Sequence, residues 1–148
     1  MIRIPCLALI AVAVFTVSPA LADEFVTTTT SDQGFDDVTF AVESAIVGRG
    51  LVIDMTSHTG EMLERTRADL GSDVVLFDAA DIFLFCSADV SRRVMEADPT
   101  NIRYCPYAIT VYQQPGQAVT IGYTRRDSDS MAPVNDLLAD LVAEALAE

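Results

Sequence analysis

The feature that most limits what this chain can fold into is a pair of cysteines, Cys86 and Cys105. They bracket the stretch that opens Phe85-Cys-Ser-Ala-Asp and closes Arg103-Tyr-Cys-Pro-Tyr. If the two are joined, their Cα atoms must come to roughly 6 Å from each other, which brings the end of one strand against the start of another. Whether they join depends on the compartment, and the N-terminus speaks to that. Arg3 gives a positive start, Leu7 to Val17 is apolar, and Ala20-Leu21-Ala22 is a small-x-small cleavage site. This is the pattern of a secretory signal peptide over residues 1–22, leaving residues 23–148 as one domain in the periplasm or secreted. The apolar run is short for a bilayer and Ser18-Pro19 interrupts it, so no membrane anchor is expected after cleavage. Cys6 leaves with the leader. In an oxidising compartment two cysteines in a small domain are more often a disulfide than a metal site. Closing a loop of about 20 residues would contribute roughly 3 kcal/mol.

Charge narrows the partners. The chain carries 22 acidic residues against nine basic ones, for a net charge of −13, and every basic residue is arginine. Removing Arg3 makes the remainder more acidic still. Binding to phosphates needs Lys and Arg to displace counterions, so nucleic acid and anionic lipid surfaces are excluded as partners. A small ligand, a protein partner or a second copy remain.

The pattern along the chain reads as alternating strands and helices. Phe25 to Thr30 is rich in β-branched residues and is expected to form a first strand. Val38, Ala41, Val42, Ala45 and Ile46 fall at helical spacing behind Asp36 and Asp37, with Gly50 as the C-terminal cap. Leu51 to Thr56 is a second strand running into Ser57-His58-Thr59-Gly60. Thr59 is expected to cap a short helix over Glu61 to Asp69, stopped by Gly71. Ile82 to Cys86 is expected to be a strand buried on both faces. Ser87 is placed to cap a helix through Val90, Val94 and Ala97 that stops at Asp98-Pro99. From Tyr104 to Tyr112, the residues Cys105, Tyr107, Ile109 and Val111 share one face of a strand. Gln114-Pro-Gly-Gln turns the chain into a strand over Ala118 to Thr124. Pro133 opens a last helix whose apolar stripe runs Val134, Leu137, Leu138, Leu141, Val142, Ala145 and Leu146. The order gives an α+β fold with a mainly antiparallel sheet packed on one side by helices.

Four segments together resemble the bacterial domain of unknown function 302 family. They are Gly50-Leu-Val-Ile-Asp-Met-Thr-Ser-His58, Phe85-Cys86-Ser-Ala, Val94-Met-Glu-Ala-Asp-Pro99 and Tyr104-Cys105-Pro-Tyr-Ala-Ile-Thr-Val-Tyr112. The resemblance runs from about Phe35 to Tyr123. It implies a TATA-binding-protein-like α+β fold in the order β-α-β(4)-α, here with short helical insertions, and a homodimer. It also implies that Cys86 and Cys105 stand at the family's two cysteine positions. The family motifs there read Gly-Ala-Cys-Asn-Pro and Leu-Pro-Cys-Asn, whereas this chain has Phe-Cys-Ser-Ala and Tyr-Cys-Pro-Tyr. It implies no activity. Sharing a fold class with a DNA-binding protein is no argument for DNA binding.

The candidate site surrounds the Cys86 and Cys105 end of the sheet, with His58 nearby and Tyr107 contributing a hydroxyl. Three chemistries stay open there. The cysteines form a structural disulfide, and the domain acts through protein partners. Alternatively, Cys86 before a helix N-terminus is a lowered-pKa thiol with Cys105 as its resolving partner, making a redox enzyme. Or Cys86, Cys105 and His58, with Met95, take a soft metal such as Cu(I), or a haem. No Gly-x-Ser-x-Gly or similar catalytic set is present, and Asp78 and Asp81 read as solvated turn charges. The leading expectation is a binding or accessory module, not an enzyme, with an unidentified small ligand.

Overall fold

The computed structural model describes residues 22–30 and 33–147. The expected signal peptide, apart from Ala22, lies outside them. Five strands form one antiparallel sheet: β1 (Glu24–Thr29), β2 (Val52–Ser57), β3 (Ala79–Cys86), β4 (Tyr107–Gln113) and β5 (Thr120–Arg125). Their spatial order is β1-β5-β4-β3-β2, a meander from β2 to β5 with β1 added at the far edge. Helix α1 (Phe35–Gly48) connects the two edge strands. The others are α2 (Thr59–Arg67), α3 (Ala88–Ala97) and α4 (Ala132–Ala145). The chain order is therefore β-α-β(4)-α, with α2 and α3 as insertions.

Helix α1 buries all five residues of its expected stripe. It ends as Gly50 requires: Gly50 sits at φ +72°, its N–H donates to the Val47 carbonyl at 2.8 Å, and the Leu51 N–H donates to Ile46 at 3.2 Å. These are the two bonds of a Schellman cap. Helix α4 buries Val134, Leu138, Leu141, Val142 and Ala145. Both helices pack on the face of the sheet that carries Phe83, Phe85, Tyr107, Ile109, Val111, Ile121 and Tyr123. Each fully buried aliphatic there contributes about 1.5–3 kcal/mol. The Arg49 guanidinium reaches from the end of α1 to Glu144 at 2.8 Å and Asp140 at 3.5 Å on α4, an exposed link of about 1 kcal/mol at most.

Three local expectations are corrected. First, β3 is not buried on both faces. Phe83 and Phe85 are buried, but Ile82, Leu84 and Cys86 on the opposite face are only half-buried, and the strand begins earlier, at Ala79. An unbroken apolar run hides which of its two faces is covered. Second, α2 starts at Thr59 with His58 in the cap position and no side-chain cap. The Thr59 hydroxyl turns to the Ser57 hydroxyl at 3.1 Å instead. Third, Cys105 does not lie on β4. A 3-10 turn over Pro99–Tyr104 intervenes, held by the Asp98 carboxylate accepting from the Thr100 N–H at 2.9 Å. Asn101, 2% exposed, donates from Nδ2 to the Val94 carbonyl at 2.9 Å and to Ser130 Oγ at 3.0 Å, fixing this turn to α3.

Candidate functional site

Cys86 is the last residue of β3 and pairs with Val52 at the start of β2. Cys105 follows the 3-10 turn, and the two sulfurs are bonded, with Cα atoms 6.5 Å apart. Ser87 caps α3 as expected, accepting from the Val90 N–H at 3.3 Å. The cysteines do meet at one end of the sheet. As a disulfide they offer neither a thiolate nucleophile nor a free pair of metal ligands.

His58 is elsewhere. Strand β2 runs from Val52, opposite Cys86, to Ser57, opposite Ile82. His58 thus lies at the other end of the sheet, roughly 17 Å along the strand from the disulfide. Its Nδ1 is 2.8 Å from Asp81 Oδ1. Because a carboxylate only accepts, Nδ1 carries the proton and donates, leaving Nε2 facing outward. The Asp81 hydrogen bond and charge raise the His58 pKa above its ordinary value. Asp81 is not the solvated turn charge the sequence suggested: only 16% of its side chain is exposed, against 57% for His58. The arrangement places no cysteine within reach of His58 as a base. Among the described residues no cluster of three His, Cys, Asp or Glu side chains is placed to hold a metal ion.

Tyr107 is a core residue. It is 3% exposed, edge-on to the Phe85 ring at 6.3 Å, and its hydroxyl pairs with Ser91 Oγ at 2.9 Å. Met95 packs against the same core. Of the four residues expected to share one site, Cys86, Cys105 and Tyr107 lie at one end of the sheet, the cysteines bonded and Tyr107 buried opposite Phe85, while His58 lies at the other end.

What the sequence reading missed is the face of the sheet opposite α1 and α4, which the described residues leave largely open. Strand alternation and register place Phe25, Thr27 and Thr29 of β1, Thr120, Gly122 and Thr124 of β5, and Ala108, Thr110 and Tyr112 of β4 on it. Ala80, Ile82, Leu84 and Cys86 of β3 continue it to Val52, Met55 and Ser57 of β2. No charged side chain stands on these positions, in a chain of net charge −13. Near its His58 end the face sinks into a groove of about 410 Å³ walled by Phe25, Phe77, Ala80 and Ile82. Thr59, Thr110, Tyr112 and Gln114 add polar atoms to it.

Two glycines make that groove. A Cβ on Gly122 would stand 2.4 Å from Cζ of Phe25, so the missing side chain lets the tip of the ring rest over β5. A Cβ on Gly60 would stand 2.5 Å from the Ala80 nitrogen, so only glycine lets α2 close on β3. Phe77, edge-on to Tyr112 at 5.8 Å, forms the rim. A sequence signal for the groove existed only in these two glycines.

No curated protein matches the chain. Among solved structures it resembles the crystal structure of an uncharacterized conserved protein DUF302 from Bacillus stearothermophilus, with a TM-score of 0.59 at 19% identity, over 83% of this chain and 93% of that one. That likeness shows the shared fold. The family model described as Domain of unknown function DUF302 matches residues 26–148, nearly the whole described domain, and the chain belongs to the DUF302 family.

Proposed function

We propose that this DUF302 chain is an exported binding module that takes a small, mainly apolar, uncharged molecule into the groove on the open face of its sheet. The observation that carries the reading is the groove itself: about 410 Å³, aromatic and aliphatic walls, and a few polar groups on an otherwise uncharged face. That volume and that mixture are those of small-molecule sites. An ionic ligand would lose hydration without gaining a counter-charge on this face. The hydroxyls of Thr110 and Tyr112 and the Gln114 amide suit one or two polar atoms on an apolar body. Export rests on the N-terminal pattern of Arg3, the apolar run and Ala20-Leu21-Ala22. The disulfide supports the same reading as a staple at the far end of the face.

The test is fluorescence titration with the uncharged probe N-phenyl-1-naphthylamine. Saturable enhancement is expected, lost in Ile82→Glu and kept in Leu84→Glu, which alters the same face outside the groove. Equal loss in both variants, or no enhancement at all, contradicts a groove site.

A further inference from the structure

A second, smaller space lies beside the groove. Helix α2 ends at Arg67, Gly71 turns the chain at φ +69°, and residues 72–77 return toward β3 as a strap with no helix or strand of its own. The strap is anchored at its two ends. The Ser72 N–H donates to the Arg67 carbonyl at 3.1 Å and the Asp78 N–H to the Gln113 carbonyl at 2.8 Å. Among the described residues no backbone–backbone hydrogen bond holds 73–77 between these anchors. Between α2 and the strap is a slot of about 100 Å³, walled by Leu63, Leu70, Val74, Leu76 and Phe77.

The polar side chains at the rim of this slot already have partners. Arg67 donates to both carboxylate oxygens of Glu64, at 3.0 and 2.9 Å. The Thr66 hydroxyl donates to the Met62 carbonyl at 2.9 Å, and Ser72 Oγ accepts from the Val74 N–H at 3.3 Å. The remaining walls are aliphatic side chains and the Phe77 ring, so a polar guest would lose hydration there and gain no side-chain partner. An apolar guest would gain: Leu70 is 79% exposed, and Val74 and Leu76 are exposed beside it. Phe77 is the one described residue that lines both the slot and the groove.

We infer that the slot is a tail subsite, and that the ligand class is an uncharged amphiphile with a single unbranched hydrocarbon chain. Its polar head meets the Thr110 and Tyr112 hydroxyls and the Gln114 amide in the groove. Its chain passes the Phe77 ring, and the chain end lies among Leu63, Leu70, Val74 and Leu76. The slot has room for a few methylene groups and none for a ring, which selects a linear tail. The net charge of −13 disfavours an anionic head such as a fatty carboxylate. The unladdered strap lets the Phe77 ring shift from Tyr112 without breaking any strand pairing. This inference rests on the groove being a binding site and adds the shape of what enters it.

Displacement of N-phenyl-1-naphthylamine by straight-chain alcohols, from 1-hexanol to 1-decanol, is the test. Each methylene that reaches the slot should tighten binding about fourfold, so the wild-type affinity should climb through the longer chains. Leu70→Glu places a charge on an exposed wall of the slot and touches nothing in the groove. It should weaken 1-decanol at least tenfold and leave 1-hexanol and the probe unchanged. Val74→Glu, on the strap side of the slot, should do the same and serves if Leu70→Glu does not fold. A wild-type affinity that levels off at the short chains, or a long-chain gain kept in either folded variant, overturns the tail subsite and leaves the groove standing. Failure of the probe and of every alcohol to bind overturns the groove and this inference together.

Discussion

His58 Nδ1 donates to Asp81 Oδ1 across 2.8 Å, and this bond ties the start of α2 to the beginning of β3. The carboxylate holds the imidazolium above its ordinary pKa, through the hydrogen bond first and the Asp81 charge second. A group whose pKa is raised by folding contributes stability that is fully present below its unfolded pKa and is lost as pH rises through the folded one. The destabilisation caused by Asp81→Asn should therefore be larger below about pH 6 than above about pH 8. Thermal unfolding at the two pH values checks this, and an NMR titration should find the His58 midpoint falling in the variant. Because His58 is well exposed, the effect on stability is small. A midpoint that does not move when Asp81 is neutralised contradicts the pairing.

Gly60 is expected to be intolerant. Its Cβ position lies 2.5 Å from the Ala80 nitrogen and 3.2 Å from the Ala79 carbonyl carbon, backbone atoms that cannot swing aside. Gly60→Ala should cost about 1–3 kcal/mol as overpacking, visible as a lower Tm. It should also weaken probe binding, since α2 and Phe77 form one side of the groove. An unchanged Tm would mean that α2 does not close on β3.

The disulfide is predicted to be structural. Thiol counting on unreduced, denatured protein should find Cys86 and Cys105 unreactive. Cys86→Ser and Cys105→Ser should each lose roughly 3 kcal/mol of stability while probe binding at the groove persists in the folded protein. Loss of binding without loss of stability would return the site to the cysteine end.

Asn101 anchors the turn that delivers Cys105. Replacing it with Leu removes the hydrogen bonds to Val94 and Ser130 while the Val94 carbonyl keeps the Asp98 N–H, a loss of about 0.5–1.5 kcal/mol for each bond removed. Chemical denaturation should register this as a lower midpoint at constant slope.

The helices were legible because their signals are local. The α1 and α4 stripes, Gly50, Ser87 and Pro133 all act where their spacing and chemistry put them. Register was not. His58 and Cys86 both belong to recognisable segments, but only the antiparallel pairing of β2 with β3 reveals that those residues stand at opposite ends. The Asp81 partnership follows from that same pairing, and the burial of Tyr107 from the pairing of β4 with β3 and from α3, whose Ser91 meets its hydroxyl. The open face was hidden for a different reason. Ile82-Phe-Leu-Phe85 is apolar at every position, and which alternate pair is covered depends on where the helices lie, which no residue in the strand encodes.

The most direct test of the binding account is amide chemical-shift mapping during titration with N-phenyl-1-naphthylamine. The account predicts saturable shifts at Ile82, Thr110 and Tyr112 and around Phe25 and Phe77, with Cys86, Cys105 and Tyr107 unmoved. Shifts confined to the disulfide end, with the groove residues unchanged, would contradict it.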